Sequence, residues 1–262
     1  KSRSEVATMR KAARISAAAH RQLLKKCRPG LQEYQLQADF EHACSSKGAT
    51  RQAYPSIVGG GNNACILHYV ENNARLEEGD LVLVDAGCEL DCYASDITRT
   101  FPVNGKFSEP QRLLYQLVLD AQHAAIDAVR PGNSWHAPHE AAVKVLTRGL
   151  VKLGLLKGQP ARLVRKEAYS KFYMHKTGHW LGMDVHDVGD YKIDGEWRML
   201  EPGMVLTIEP GLYIPEGMRG VAKKWQGIGI RIEDDVLVTR DGHDVLTSDA
   251  PKEIDEIEAL MA

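Results

Sequence analysis

Asp85 and Asp96 flank a short turn-forming stretch, and three further carboxylate or imidazole positions of the same kind follow downstream. Leu81-Val-Leu-Val-Asp85 is an apolar, β-branched run; a polar turn region follows, and Ser95-Asp96-Ile-Thr-Arg-Thr-Phe101 reads as the returning strand. A turn centred on Leu90-Asp91 sets Asp85 directly opposite Asp96. Side chains opposed in this way on an antiparallel pair lie roughly 5 Å apart at Cβ, and like charges there are destabilising. Buried carboxylates so close push one pKa up until a proton is shared, unless a cation lies between them. A divalent metal removes the conflict.

Four other segments carry chemistry of the same type. His175, His179 and His186 fall within twelve residues, punctuated by Gly178 and Gly182. Imidazole serves both as metal ligand and as proton carrier near neutral pH, and the spacing is not the HExxH of a single-zinc protease helix. Glu209 ends an apolar strand, where an unpaired carboxylate is costly; a solvent-exposed strand end before Pro210-Gly211 accounts for it equally well. In Gly227-Ile-Gly-Ile-Arg231-Ile-Glu233-Asp-Asp, alternation puts Arg231 and Glu233 on one face and Ile230 and Ile232 on the other. That face is either an ordinary solvated Arg–Glu pair or part of a metal site. His68 follows the glycine-rich Val58-Gly-Gly-Gly-Asn-Asn; with no Lys-Ser/Thr after it this is not a P-loop, and His68 is either a core residue or a substrate contact. Asp85, Asp96, His179, Glu209 and Glu233 together offer four carboxylates and one imidazole, more anionic groups than one ion needs. Oxygen-rich ligation with a single His suits Mn²⁺, with Co²⁺ or Zn²⁺ as substitutes, better than a thiolate site. Two such ions about 3.5–4 Å apart can polarise a carbonyl and activate water, the equipment for peptide-bond hydrolysis.

Helices are expected over 4–27, 33–48, 109–129 and 136–154, with shorter ones near 162–168 and 251–261; strands are expected over 54–58, 65–69, 80–87, 92–101, 204–209, 212–214 and 227–239. Ser108-Glu-Pro-Gln111 is a capping box with Pro in the first turn, and Pro131-Gly132 stops the same helix. Long helices alternate with strands without a low-complexity linker, so residues 1–262 are expected to form one α+β domain. Two helices followed by an acidic hairpin occur once in each half, which suggests a duplication.

With 44% hydrophobic residues, 26% charged residues and a formal net charge of -2, the chain can bury a large core, and its charge points to no nucleic-acid or membrane partner. No apolar run reaches the length of about 20 residues that spans a bilayer. Five cysteines, an odd number without a CxxC pair, fit reduced thiols in a cytoplasmic setting, although Cys88 and Cys92 flank the hairpin turn. The first 28 residues hold nine Lys or Arg and one acid, Glu5. That composition is like a transit peptide, but Val6, Met9, Ile15 and Leu23-Leu24 before Pro29-Gly30 favour a surface helix of the fold. The remainder holds 24 basic against 34 acidic residues, a net of -10, so the chain is polarised. Lys1 is not an initiator methionine, and residues upstream are expected to have been removed or left out.

Val84-Asp85-Ala-Gly, Ser95-Asp96-Ile-Thr-Arg-Thr-Phe-Pro, Gly178-His179-Trp-Leu-Gly-Met-Asp-Val-His186-Asp-Val-Gly, Val205-Leu-Thr-Ile-Glu209-Pro-Gly-Leu-Tyr213 and Gly229-Ile-Arg-Ile-Glu233-Asp-Asp stand in order along the chain. In these five motifs the sequence resembles the aminopeptidase P branch of the pita-bread metallopeptidases, which also include prolidase and methionine aminopeptidase. The resemblance covers essentially the whole chain as a catalytic domain. It implies the pita-bread (creatinase/aminopeptidase-like) fold, an α+β architecture of two pseudo-symmetric halves around a curved antiparallel sheet. It further implies that Asp85 and Asp96 ligate a first metal, that Asp96 and Glu233 bridge to a second, and that His179 and Glu209 complete the second site. His68 and His186 would bind substrate and steady the tetrahedral intermediate, His175 would line the same pocket, Arg231 would orient a ligating carboxylate, and Tyr213 would lie near Glu209. The implied reaction releases the N-terminal residue of peptides with proline second. The chain departs from the family in starting at the catalytic domain, without the N-terminal domain that helps build a homo-oligomer and closes the substrate site. It also carries Lys176-Thr-Gly178 where relatives often have small residues, with Lys176 expected to point away from the site.

Competing readings are a prolidase confined to dipeptides, a methionine aminopeptidase, which the Trp180–His186 segment opposes, and a pita-bread protein reduced to partner binding, which the retention of all five ligands opposes.

Overall fold

The computed structural model describes residues 1–262. Helix α1 (Arg3–Lys26) opens with a capping box between Ser2 and Glu5 and buries Met9, Ser16, His20, Leu23 and Leu24. It packs on α2 (Glu33–Ser45) and on α6 (Ile254–Met261), so the basic N-terminal segment is a structural helix. The second half begins with α3 (Glu109–Asp127), capped by Ser108 and Gln111 as the sequence predicts, lying against α4 (Ala137–Lys152). The short helix α5 covers Pro160–Arg165. No helix is long and apolar enough to cross a membrane.

Each helix pair is followed by a three-stranded antiparallel sheet. In the first half Leu81–Asp85 lies between Ile57–Gly60 and Thr98–Pro102; in the second, Asp234–Val238 lies between Val205–Ile208 and His243–Val245. A ribbon of Gly211–Ile214 and Ile228–Arg231 accompanies the second sheet. One core of 49 buried residues reaches from Ala12 to Ile257, so both halves share it. The central strand of the first sheet is buried along its whole length, which explains why Leu81–Asp85 reads as a continuous apolar run and not as an alternating one.

Three expectations need correction. The hairpin turn centres on Asp91-Cys92, which adopt positive φ angles of 49° and 65°, so Leu90 pairs with Tyr93 and Asp85 pairs with Thr98 instead of Asp96. The register moves by two partners, which keeps the same side chains on the same face; Asp96 becomes a neighbour of Asp85 displaced along the sheet. Residues 65–69 form no strand: a 3-10 turn over Gly61–Cys65 leads into a loop that carries His68. The stretch 227–239 is two strands, Ile228–Arg231 and Asp234–Val238, in different sheets, with Glu233 at the break. All five cysteines are free, with Cys88 buried and Cys92 exposed.

Candidate metal centre and active site

The ends of these strands converge on a cavity of about 460 Å³ whose lining includes all nine sequence-predicted site residues: His68, Asp85, Asp96, His175, His179, His186, Glu209, Arg231 and Glu233. Asp85 ends the central strand of the first sheet, and Asp96 precedes its partner strand. Glu209 follows the Val205–Ile208 strand, its amide held at 2.8 Å by the Thr177 carbonyl, and Glu233 sits between strands with its amide donating to the Thr98 carbonyl at 3.1 Å. Backbone bonds thus fix Glu209 and Glu233 at their roots.

The carboxylates are crowded. The Tyr54 hydroxyl lies 2.7 Å from Asp85 Oδ1 and 2.5 Å from Asp96 Oδ1, yet it carries one proton. It cannot donate to both at once, so the second contact needs a proton or a cation from elsewhere. Asp96 Oδ2 lies 3.3 Å from His179 Nε2, with Glu209 Oε1 at 3.9 Å from the same nitrogen. Ligand atoms of Asp96, His179 and Glu233 all fall within 4.8 Å of one another. The protein sets one permanent cation among these acids, Arg231, whose Nη2 donates to Asp85 Oδ2 at 2.6 Å.

The charges show the consequence. Burial, then the neighbouring charges of Asp96, Glu209 and Asp85, push Glu233 well above the ordinary carboxylate range. Burial likewise raises Glu209 to about 7, and it raises Asp85 despite Arg231. Burial opposes a charge on His179, but the bond to Asp96 and the charges of Asp96 and Glu209 prevail and lift it to about 9. Four acids and one guanidinium leave a buried negative excess that divalent cations would neutralise. His179 is prepared as a ligand: Nδ1 faces the Trp180 carbonyl at 3.0 Å, which leaves Nε2 directed at the carboxylates. Four carboxylates with one imidazole form a hard, oxygen-rich donor set, and these residues fit a divalent-metal centre.

Around the acids stands a layer of orienting groups. Arg231 also donates to the Tyr213 hydroxyl at 3.1 Å and to Thr98 Oγ1 at 3.2 Å. Thr98 Oγ1 donates to Glu233 Oε2 at 2.6 Å. Because Tyr213 accepts from Arg231, its own proton goes to His175 Nε2, 2.8 Å away, and His175 Nδ1–H then faces the Lys176 carbonyl at 2.7 Å. Burial first, then the Arg231 charge, lowers His175 to about 3, so it is a neutral ring with both nitrogens engaged. His186 stands edge-on to His179 with ring centroids 4.4 Å apart, and burial and that neighbour lower its pKa. His68 is exposed on its loop at the cavity rim.

Sequence reasoning missed Tyr54, which touches two of the acids, and Asp235, whose carboxylate accepts the Asp96 amide at 3.2 Å. A single tyrosine before a proline has no periodic signature; Asp235 stands in the quoted Glu233-Asp-Asp motif but without a role. Lys176, expected to point away, lines the cavity.

Comparison with known proteins decides the family. The family model for metallopeptidase family M24 matches residues 7–240. This chain belongs to metallopeptidase family M24. It is 51% identical over 261 residues to the Xaa-Pro aminopeptidase of Haemophilus influenzae, covering all of this chain and 60% of that protein. Its fold superposes on aminopeptidase PepP of Pseudomonas aeruginosa with a TM-score of 0.99 at 60% identity, covering 100% of this chain and 59% of that one. It matches Escherichia coli aminopeptidase P in complex with substrate with a TM-score of 0.97 at 49% identity, again over 100% of this chain and 59% of that one. The fold is therefore the pita-bread fold of the aminopeptidase P structures, and the M24 chain spans about three fifths of the length of these relatives.

Proposed function

We propose that residues 1–262 act as one catalytic unit of a metalloaminopeptidase that cleaves the Xaa-Pro bond at the N-terminus of peptides with proline second. The convergence of three buried carboxylates, a half-buried fourth and one imidazole on a single cavity, against one fixed cation, carries this reading. Its nearest support outside the chain is that M24 relatives about half identical to it are named Xaa-Pro aminopeptidase. Asp85, Asp96, His179, Glu209 and Glu233 are the residues that would hold two divalent ions, Asp85 and Asp96 on the side of the first and His179 and Glu209 on the side of the second. Ions held there, Mn²⁺ by the hardness of the donors, supply Lewis acidity and lower the pKa of water.

The remaining work falls to the protein. Arg231 fixes Oδ2 of Asp85, whose Oδ1 faces the Tyr54 hydroxyl. Thr98 fixes Oε2 of Glu233. His186, beside His179, and His68, on the open rim, are placed to hydrogen-bond the substrate backbone. His175 acts by shape and by locking Tyr213, since neither of its nitrogens is free to carry protons. A proline amide offers no N–H, so recognition rests on ring shape; Ile57, Leu67 and Val185 supply apolar wall.

The test measures bound metal and turnover of an Xaa-Pro-containing tripeptide, with Mn²⁺ added and then chelated. Metal uptake with activity that follows it supports the reading; a protein that binds no divalent ion, or hydrolyses Met-Ala peptides in preference, refutes it. Cleavage of Xaa-Pro dipeptides alone would instead identify a prolidase.

A further inference from the structure

A second cavity, of about 490 Å³, shares Lys176 and Gly178 with the reaction cavity but contains none of the five acid and imidazole ligands. It lies between the start of α4, the Lys192–Trp197 hairpin and the Val205–Ile208 strand, and its size falls within the range of small-molecule sites. Its walls are aromatic. The His136 ring stacks on Trp197 with centroids 4.8 Å apart and planes 3° apart, and Trp135 lies 4.8 Å from Tyr191. Its charges are of one sign: Lys176 and Lys192 line it, Lys192 Nζ stands 4.4 Å over the Trp197 ring, and no carboxylate faces it.

One buried donor is aimed into this space. His139 is 8% exposed, and its Nδ1 lies 2.8 Å from Thr177 Oγ1, which in turn lies 2.6 Å from the Tyr173 hydroxyl. Tyr173 is 1% exposed and has no other partner, so its proton goes to Thr177. The Thr177 proton then goes to His139 Nδ1, which puts the ring proton on Nε2. That nitrogen has no protein partner, and it is not among the sealed polar atoms of the interior; it opens onto the cavity. Burial lowers His139 to about 4, so it donates as a neutral ring.

We propose that this cavity is a binding site for a planar aromatic carboxylate, with the ring against Trp197 and His136 and the carboxylate on His139 Nε2–H and Lys176. His136 and Lys192 already lie against the Trp197 ring, so the ligand ring packs beside that stack, as aromatic pairs do edge-on or offset; an anion suits two lysines and no acid, and an acceptor answers the one directed donor. An occupant would press on Thr177, whose carbonyl holds the Glu209 amide at 2.8 Å.

The experiment is calorimetric titration of the metal-loaded protein with indole-3-carboxylate. Saturable one-site binding is expected, about tenfold weaker in His139→Phe, which keeps the ring and removes the donor, and about tenfold weaker for neutral indole-3-carboxamide. Trp197→Ala, at a half-buried position tolerant of truncation, should weaken binding comparably, while His68→Ala in the reaction cavity should leave it unchanged. No saturable binding at millimolar ligand, equal affinity in His139→Phe, equal affinity for the amide, or loss of binding in His68→Ala would each overturn the proposal. The readout is independent of peptide turnover.

Discussion

Glu233 and Asp234 are consecutive buried acids with opposite fates. Asp234 receives Arg99 Nη2 at 2.7 Å, Lys252 Nζ at 2.8 Å, Gln122 at 2.8 Å and Thr247 at 2.7 Å. These partners overcome the cost of burial and hold it well below the ordinary carboxylate range. Glu233, one residue earlier, faces three other acids, and its pKa is driven up. The protein is able to neutralise a buried carboxylate with its own side chains, and at the cavity it supplies one guanidinium, Arg231, for four acids. Acids matched by the protein's own cations mark scaffold, and acids in excess of them mark the place where an external cation belongs.

The sharpest way to break this contrast is to remove one acid from each side. Glu233→Ala or Asp96→Ala should abolish metal loading, read by elemental analysis after dialysis, and lower tripeptide turnover by about a thousandfold or more, the several kcal/mol of a lost Lewis acid. Activity surviving in either variant would sink the assignment. Asp234→Ala should act on stability: breaking a buried pair costs about 3–5 kcal/mol, seen as a lower denaturant midpoint, while the metal stoichiometry of the folded fraction stays unchanged. If Asp234→Ala instead removed metal without unfolding, the division between scaffold and site would be wrong.

A titration sharpens the same point for a buried base. His20 Nε2 faces the Ala86 carbonyl at 2.9 Å, and Nδ1 is sealed without a partner. Burial lowers its pKa to about 4. Between that value and the unfolded value near 6.5, the unfolded chain binds the extra proton, so stability present at neutral pH is lost as pH falls through this window. Moving from pH 7 to pH 5 should cost about 2 kcal/mol through His20, a decrement missing from His20→Gln in parallel denaturant titrations. The smallest effect concerns Tyr54. Tyr54→Phe should retain metal and lower kcat about tenfold, the worth of one hydrogen bond to a charged group; complete loss of metal would make Tyr54 part of the ligand set.

Much of this site is legible in the sequence because its ligands stand at strand ends, where apolar runs stop abruptly at an acid. Asp85 after Leu81–Val84 and Glu209 after Val205–Ile208 announce themselves in this way. The histidine cluster is equally visible. The hairpin register was not, because the turn residues Asp91 and Cys92 take left-handed conformations with neither Gly nor Asn to signal them. Where the strands meet past the turn, a Cβ on Gly87 would lie 1.8 Å from the Ser95 carbonyl, a close approach that only the folded chain reveals. Tyr54 and Asp235 escaped for a related reason: their importance comes from partners 31 to 139 residues away, and no local pattern records such meetings.

Arg99 joins segments that lie far apart along the chain. Its guanidinium donates to the carbonyls of Thr98 and Glu233, and also to those of Ala250 and Pro251, about 150 residues further on. It also pairs with Asp234 at 2.7 Å, so one nearly inaccessible cation ties the 250–251 segment to the backbone beside Asp96 and at Glu233. A change that loosens residues 250–251 therefore reaches two of the cavity acids without touching either of them.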